Sequence, residues 1–336
     1  MATTKHYENK LVLSEKAREE TCKAHSAVIE SFLEARLANV VGLAEGIKWK
    51  NGQPTGEPAL LVLVTHKQDK TEISSENLVP GELGDMQTDV LAVGHVFAGG
   101  CCEPSGAGIQ VLGKRTRPAQ GGYSVGHKNI TAGTIATCVY DLLPGGSTNQ
   151  PVHGIGMPSK YYILSNNHVL ADSNAGAIGD TVLQPGPYDG GVDPADRIAT
   201  LSRYVPISFN PPMPLTSQNN LVDCAIAEGQ FYDLDREIYW NGYVRGWRRK
   251  AHFTTGRITA INATIDVGYG EGRVARFKDQ IVTTNMSEGG DSGSLVLTLD
   301  NVAVGLLFAG SATSMIANQI ENVHSLLRVE VAEQIL

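Results

Sequence analysis

The chain is poor in the features that mark export, membrane spanning and nucleic-acid binding. Its first residues, Met1-Ala2-Thr3-Thr4-Lys5-His6-Tyr7-Glu8, lack a cationic start followed by an apolar core, so no secretory signal is expected there. No uninterrupted apolar stretch approaches the ~20 residues that cross a bilayer, which argues against a membrane role. Aromatic residues make up only 6% of the chain. The net charge of −8 is spread along it with no basic patch, which excludes a nucleic-acid groove. The five cysteines, at 22, 101, 102, 138 and 224, are odd in number and suit a reducing, cytoplasmic setting better than a disulfide framework. Cys101 and Cys102 lie near His95, but adjacent cysteines do not have the Cys-x-x-Cys spacing of zinc sites; no metal and no cofactor are expected.

Glycine is abundant, 37 of 336 residues, and it punctuates short β-branched runs, which favours a mainly β architecture. The length accommodates two domains. Residues 1–117 read as a small α/β module ending in a Gly-rich linker, and residues 118–336 as a second, β-rich domain. Ser14 is a plausible N-cap for an amphipathic helix over 14–37, with Ala24, Val28, Ile29, Phe32 and Leu33 on one face. Strands over 39–43 and 59–64 flank the turn signal Asn51-Gly52, and a third follows over 88–93. The linker spans Gly94 to Gly122. Beyond it, runs at 133–140, 161–164 and 222–227 suggest one barrel, and runs at 256–264, 280–284, 294–299 and 302–308 a second. The Pro-rich stretch between His168 and Asp223, with Pro211-Pro212-Met213-Pro214, predicts an insertion loop.

Three segments carry chemistry: Leu164-Ser165-Asn166-Asn167-His168-Val169-Leu170, Val222-Asp223-Cys224-Ala225-Ile226-Ala227 and Gly289-Gly290-Asp291-Ser292-Gly293-Ser294-Leu295. A serine hydroxyl is a weak nucleophile at neutral pH. It needs an imidazole to take its proton and a carboxylate to orient that imidazole. His168, Asp223 and Ser292 supply all three types, each beside an apolar run able to hold it rigidly. The order His, Asp, Ser differs from that of the α/β-hydrolases and of subtilisin.

In this order and these contexts the chain resembles the trypsin-like, chymotrypsin-fold serine proteases over roughly residues 118–332. Gly290-Asp291-Ser292-Gly293 matches that family's nucleophile segment, and Ser165-Asn166-Asn167-His168-Val169 resembles the form found in bacterial HtrA-type members. More narrowly, Thr131-Ala132-Gly133-Thr134, Leu183-Gln184-Pro185-Gly186 and the stretch Val304 to Ser311 are similar to intracellular bacterial trypsin-like proteins and plant narrow-leaf type proteases. The stretch after Ser292 is too short for the PDZ domain of the HtrA type.

The resemblance implies a double six-stranded antiparallel β-barrel preceded by the α/β module, and peptide-bond hydrolysis through an acyl-enzyme on a peptide or protein substrate. It implies an oxyanion hole from the N–H groups of Gly290 and Ser292, and it is compatible with a homo-oligomer. Met286, six residues before Ser292, falls at the base of the implied P1 pocket and is not an acid, which disfavours cleavage after Arg or Lys. Phe308, Ala309 and Gly310 match the implied substrate-binding edge, with Phe308 and Ala309 lining an apolar pocket for a small or medium aliphatic residue. Asp291 is expected to meet an Arg side chain or backbone amides, because Val40-Val41-Gly42-Leu43, the nearest imitation of a zymogen's new N-terminus, reads as a strand. Two alternatives remain. One is a latent or pseudo-protease that binds peptides or partner proteins. The other is an esterase using Ser124 of Gly122-Tyr123-Ser124-Val125-Gly126 with Asp223 and His252.

Overall fold

In the computed structural model the described residues are 10–35, 37–99, 112–130, 133–142, 158, 160–238 and 254–331. The chain opens with helix α1 (Glu15–Glu34), whose N-cap Ser14 accepts the Ala17 N–H at 3.2 Å. A hairpin follows, β1 (Val40–Lys50) and β2 (Gln53–Val64). Asn51 and Gly52, at φ 51° and 73°, make the turn with both residues left-handed, as the Asn-Gly pair predicts. Strand β3 (Glu82–Leu83) leads into β4 (Met86–Ala92), which lies parallel to β2. Phe32 and Leu33 of α1 bury themselves on Leu43, Leu60, Val62 and Val64, so the helix covers one face of this small sheet.

Next come β5 (Phe97–Ala98), β6 (Ala119–Gly121), β7 (Ser124–His127), β8 (Gly133–Thr134) and β9 (Thr137–Asp141). Strand β10 (Tyr161–Ser165) ends in the one-turn helix α2 (Asn167–Leu170). It is followed by β11 (Thr181–Leu183), β12 (Arg197–Tyr204), β13 (Ala225–Gly229) and β14 (Leu234–Ile238). The last part holds β15 (Ile258–Gly268), β16 (Val274–Thr284), β17 (Leu295–Leu297), β18 (Ala303–Gly310), β19 (Ser314–Gln319), helix α3 (Ile320–Leu327) and β20 (Val329–Val331).

These strands form two barrel-like halves. The first is the eight-stranded sheet β20-β9-β10-β13-β12-β11-β7-β8. The second is a ten-stranded sheet ordered β16-β19-β18-β5-β15-β1-β2-β4-β3, with β17 on β18, closed on itself by an additional β15–β16 pairing. Both halves exceed the six strands expected of a barrel, for a simple reason. The N-terminal hairpin continues the second sheet through β1 on β15, and the C-terminal β20 joins the first through β9. Gly42 permits the first junction, since a Cβ there would stand 2.3 Å from the Thr264 carbonyl oxygen. The stretch expected to be an insertion loop contains β11 and β12, whose alternation is diluted by turn residues on either side.

Strands β10 and β13 are buried on both faces. Tyr161 and Ile163 point into the core of the first half, while Tyr162, Leu164 and Ile226 pack on Ile320, Val323 and Leu327 of α3. Such continuous apolar runs mark strands covered on two sides. The second half has its own core around Phe277, whose ring lies 4.7 Å from that of Phe308 and 6.1 Å from that of Tyr269. Because Phe277 is fully buried in this cluster, Phe277→Ala is expected to cost about 3–5 kcal/mol of stability in a chemical denaturation experiment.

Candidate active site

At the end of β10, Asn166 leaves the strand and opens α2, which presents His168 at the junction of the two halves. The turn is held by amides. Asn167 donates through Nδ2 to the carbonyl of Val205 at 2.7 Å and to Asn174 Oδ1 at 2.8 Å, and the Asn174 N–H donates back to Asn167 Oδ1 at 2.9 Å. Asn166, with no exposure, donates to the Asp223 carbonyl at 2.8 Å. The His168 side chain retains 12% exposure, whereas that of Asp223 has none.

A carboxylate removed from water needs donors to replace the lost solvent. Asp223 has three. His168 Nδ1–H donates to Oδ2 at 2.6 Å, the His168 backbone N–H to Oδ1 at 3.2 Å, and the Tyr269 hydroxyl to Oδ2 at 2.7 Å. Its own N–H donates to Asn318 Oδ1 at 3.0 Å. Asn318 in turn donates to Gln280 Oε1 at 2.7 Å, and Gln280 donates to the Leu221 carbonyl at 2.9 Å. The second half thereby fixes the backbone of the aspartate from beneath. Burial, then the adjacent Asp223 charge, pushes the Tyr269 hydroxyl well above the usual tyrosine range, so it stays a donor at neutral pH. The neighbouring Cys224 thiol is raised for the same reasons in the same order.

Ser292 sits on a tight loop before β17. Asp291 accepts the Glu288 N–H at 2.9 Å through its carboxylate, while its own N–H donates to the Glu288 carbonyl at 3.1 Å. A backbone amide thus partners Asp291. Thr134 of the first half clamps this loop: its N–H donates to the Ser292 carbonyl at 2.7 Å and its hydroxyl to the Gly290 carbonyl at 2.8 Å. Ser165 completes the joint by donating to the Thr134 carbonyl at 2.7 Å. The N–H groups of Gly290 and Ser292 meet no backbone acceptor among the described residues. Ser292 Oγ points to the Phe308 carbonyl at 3.5 Å, and His168 Nε2, though buried, has no hydrogen-bond partner among the described residues. Ser292 Oγ and His168 Nε2 are therefore not hydrogen-bonded to one another here.

The other expected site residues divide. Met286 lies against the small cluster of Ile281, Leu307, Met315 and Ala317, with its carbonyl accepting the Thr254 hydroxyl at 2.6 Å. The Phe308 ring is fully buried in the second core, so this residue offers the cleft its carbonyl and not a pocket wall. Ala309 is likewise buried, and Gly310 ends β18. Ser124 begins a buried strand and accepts the Gly186 N–H at 3.1 Å, which is a structural role and not the sharp strand-to-helix turn an esterase serine needs. His252, Cys101 and Cys102 lie outside the described residues. Sequence reasoning missed Tyr269, Asn318 and Thr134, because each lies far along the chain from the residue it holds.

Gly293, at φ 94°, occupies a backbone conformation that L side chains rarely adopt, and a Cβ there would stand 2.1 Å from Ser165 Oγ and 2.3 Å from the Thr134 carbonyl oxygen. Gly293→Ala is therefore expected to break the Thr134 clamp, lowering the thermal midpoint and the reactivity of Ser292 together; an unchanged melting curve would contradict the clamp.

Residues 153–306, the span containing His168, Asp223 and Ser292, match the family model of the trypsin-like peptidase domain. No curated protein matches the chain significantly. Among solved structures, the chain is similar to a glutamic-acid-specific serine protease described as using a histidine triad in substrate binding, at 16% identity and TM-score 0.41, over 63% of this chain and 100% of that one. It is also similar to Thermobifida fusca protease A, at 16% identity and TM-score 0.39 over 63% and 97% of the two chains. Nocardiopsis protease is a third, at 13% identity and TM-score 0.41 over 64% and 98%. The part of the chain that spans the junction of the two β-barrel halves is thus similar to the trypsin-like peptidase domain.

Proposed function

We propose that the chain is a serine endopeptidase whose nucleophile is Ser292, with His168 as general base and Asp223 as its orienting carboxylate. The observation that carries this is the 2.6 Å bond from His168 Nδ1–H to a fully buried Asp223, which leaves Nε2 as the free basic nitrogen. A rotation of Ser292 Oγ away from the Phe308 carbonyl brings its proton to Nε2, and contacts of this kind commonly tighten only once substrate is bound. The serine oxygen then attacks the scissile carbonyl carbon as Nε2 takes the proton. The resulting oxyanion is met by the N–H groups of Gly290 and Ser292, and such preorganised donors are worth about 3–4 kcal/mol to the transition state. Collapse expels the amine, which takes the proton from His168, and leaves an acyl-enzyme on Ser292. Water, deprotonated by His168, hydrolyses that ester and regenerates the serine.

Asp223 orients the imidazole and stabilises the imidazolium that forms, so whatever holds Asp223 in place also holds His168. Neither of the buried Cys138 and Cys224 is in a disulfide among the described residues, which favours a reducing compartment. The carbonyl of Phe308 and the buried Ala309 leave side-chain selectivity to the region of Met286, which is itself not an acid and so does not recruit Arg or Lys.

A fluorophosphonate probe, which labels activated serines, tests the assignment: wild type and Ser124→Ala should be labelled, and Ser292→Ala should not. Loss with Ser124→Ala alone would replace the assignment with the esterase reading. His168→Ala should slow labelling by roughly 10⁴-fold. Tyr269→Phe removes one donor from Asp223, and kcat/KM should fall roughly tenfold, the order of one hydrogen bond to a charged group. An unchanged kcat/KM would mean that Tyr269 only packs.

A further inference from the structure

We propose that Phe97-Ala98-Gly99 is a built-in occupant of the peptide-binding edge, so that the folded chain is latent and accepts an extended peptide only when β5 leaves. This rests on the assignment of Ser292 as the nucleophile. An extended peptide reaching Ser292 would pair with the edge of β18 at Phe308-Ala309-Gly310, because these residues end beside the serine. That edge is already paired. Gly310 faces Phe97 and Ala309 faces Ala98 in an antiparallel ladder. The Gly99 N–H then donates to the Phe308 carbonyl at 3.4 Å, the same oxygen that Ser292 Oγ points to at 3.5 Å. The segment thus runs along the edge up to the nucleophile itself.

Both sides of the occupant are held. Upstream, Ser311 donates its hydroxyl to the Val93 carbonyl, and Gly94, at φ 74°, lets the chain pass where a Cβ would stand 2.7 Å from Ser311 Oγ. Val93 and Val96 are buried in the second core. On the far side the Gly268 N–H donates to the Val96 carbonyl at 3.0 Å, and a Cβ on Gly268 would stand 2.7 Å from the Phe97 ring. β5 is therefore the stave between β18 and β15, and a peptide seeking β18 must displace it.

Two features separate an occupant from a substrate. Gly99 has φ 82°, so its backbone is not extended, as that of a peptide presenting its carbonyl for attack would be. The paired strand is only two residues long, and Phe97 is 39% exposed. So short a pairing is the kind of element that opens locally while the rest of a fold stays intact. The Val93 and Val96 anchors keep the segment in place for return.

The Gly99–Phe308 bond makes Phe97 and Gly310 the next bonded pair of the antiparallel ladder, so Phe97→Pro removes a donor from the pairing. Phe97→Asp leaves every backbone donor in place and instead puts a charge against Gly268, which gives a second variant should the proline chain fail to fold. The probe is fluorescently labelled casein, an unstructured protein. In a Ser292→Ala background either folded variant is expected to bind casein at least tenfold more tightly than the Phe97 parent, and with Ser292 present to raise casein kcat/KM by a similar factor. In the parent itself, casein should accelerate deuterium exchange over 97–99. Tighter binding without hydrolysis or fluorophosphonate labelling would uphold the occupant and sink the catalytic assignment. Labelling by the probe with casein binding and exchange over 97–99 unchanged would overturn the occupant and leave the assignment standing.

Discussion

The buried carboxylate of Asp223 is the constraint on which the rest of the site depends. An ion with no exposure is tolerated only where donors replace water, and here they come from both halves of the molecule: His168 from the first and Tyr269 from the second. Removing either half would leave the charge partly unpaired. The same bonds that make the aspartate tolerable also fix the imidazole in one orientation, with Nδ1 engaged and Nε2 unbonded among the described residues. Stability and chemistry are served by one set of contacts.

Around that ion the backbone is pinned by side-chain amides. Asn166 holds the Asp223 carbonyl, Asn318 its N–H, and Asn167 with Asn174 secures the turn that carries His168. The nucleophile loop is joined by a different device, the paired donations of Thr134 to Ser292 and Gly290. These bonds make the network a joint between the barrels and not a soft polar seam. Among the described residues two of its buried atoms meet no partner, Asn166 Oδ1 and His168 Nε2. Of the two, the imidazole nitrogen is the base.

Part of this was legible in the sequence. His168, Asp223 and Ser292 each follow or precede apolar runs, and their order pointed to this fold. Asn51-Gly52 announced its hairpin, and Ser14 its helix. Other features were not legible, for physical reasons. Tyr269 sits in a Gly-Tyr-Gly turn whose partner is 46 positions away along the chain, and nothing local signals a donor aimed at a carboxylate. β11 and β12 were hidden because their short apolar alternations are flanked by Pro, Asp and Gly. Phe308 looked like a pocket wall because it borders the edge strand, yet strand alternation sends its ring into the core beside Phe277. β5 was taken for linker, since two residues between glycines carry no periodicity.

The N-terminal segment is thus woven into the second half twice, through β1 on β15 and through β5 between β15 and β18. A separate module tethered by a linker could come and go, whereas this one shares a sheet with the strands that hold Tyr269 and Asn318. The central claim remains the bond between Asp223 and His168. Proton NMR of the imidazole Nδ1–H tests it most directly: a strongly hydrogen-bonded, buried proton should give a far-downfield resonance in wild type and in Ser292→Ala, lost or moved upfield in Asp223→Asn. Absence of that resonance in wild type, or its survival unchanged in Asp223→Asn, would contradict the account.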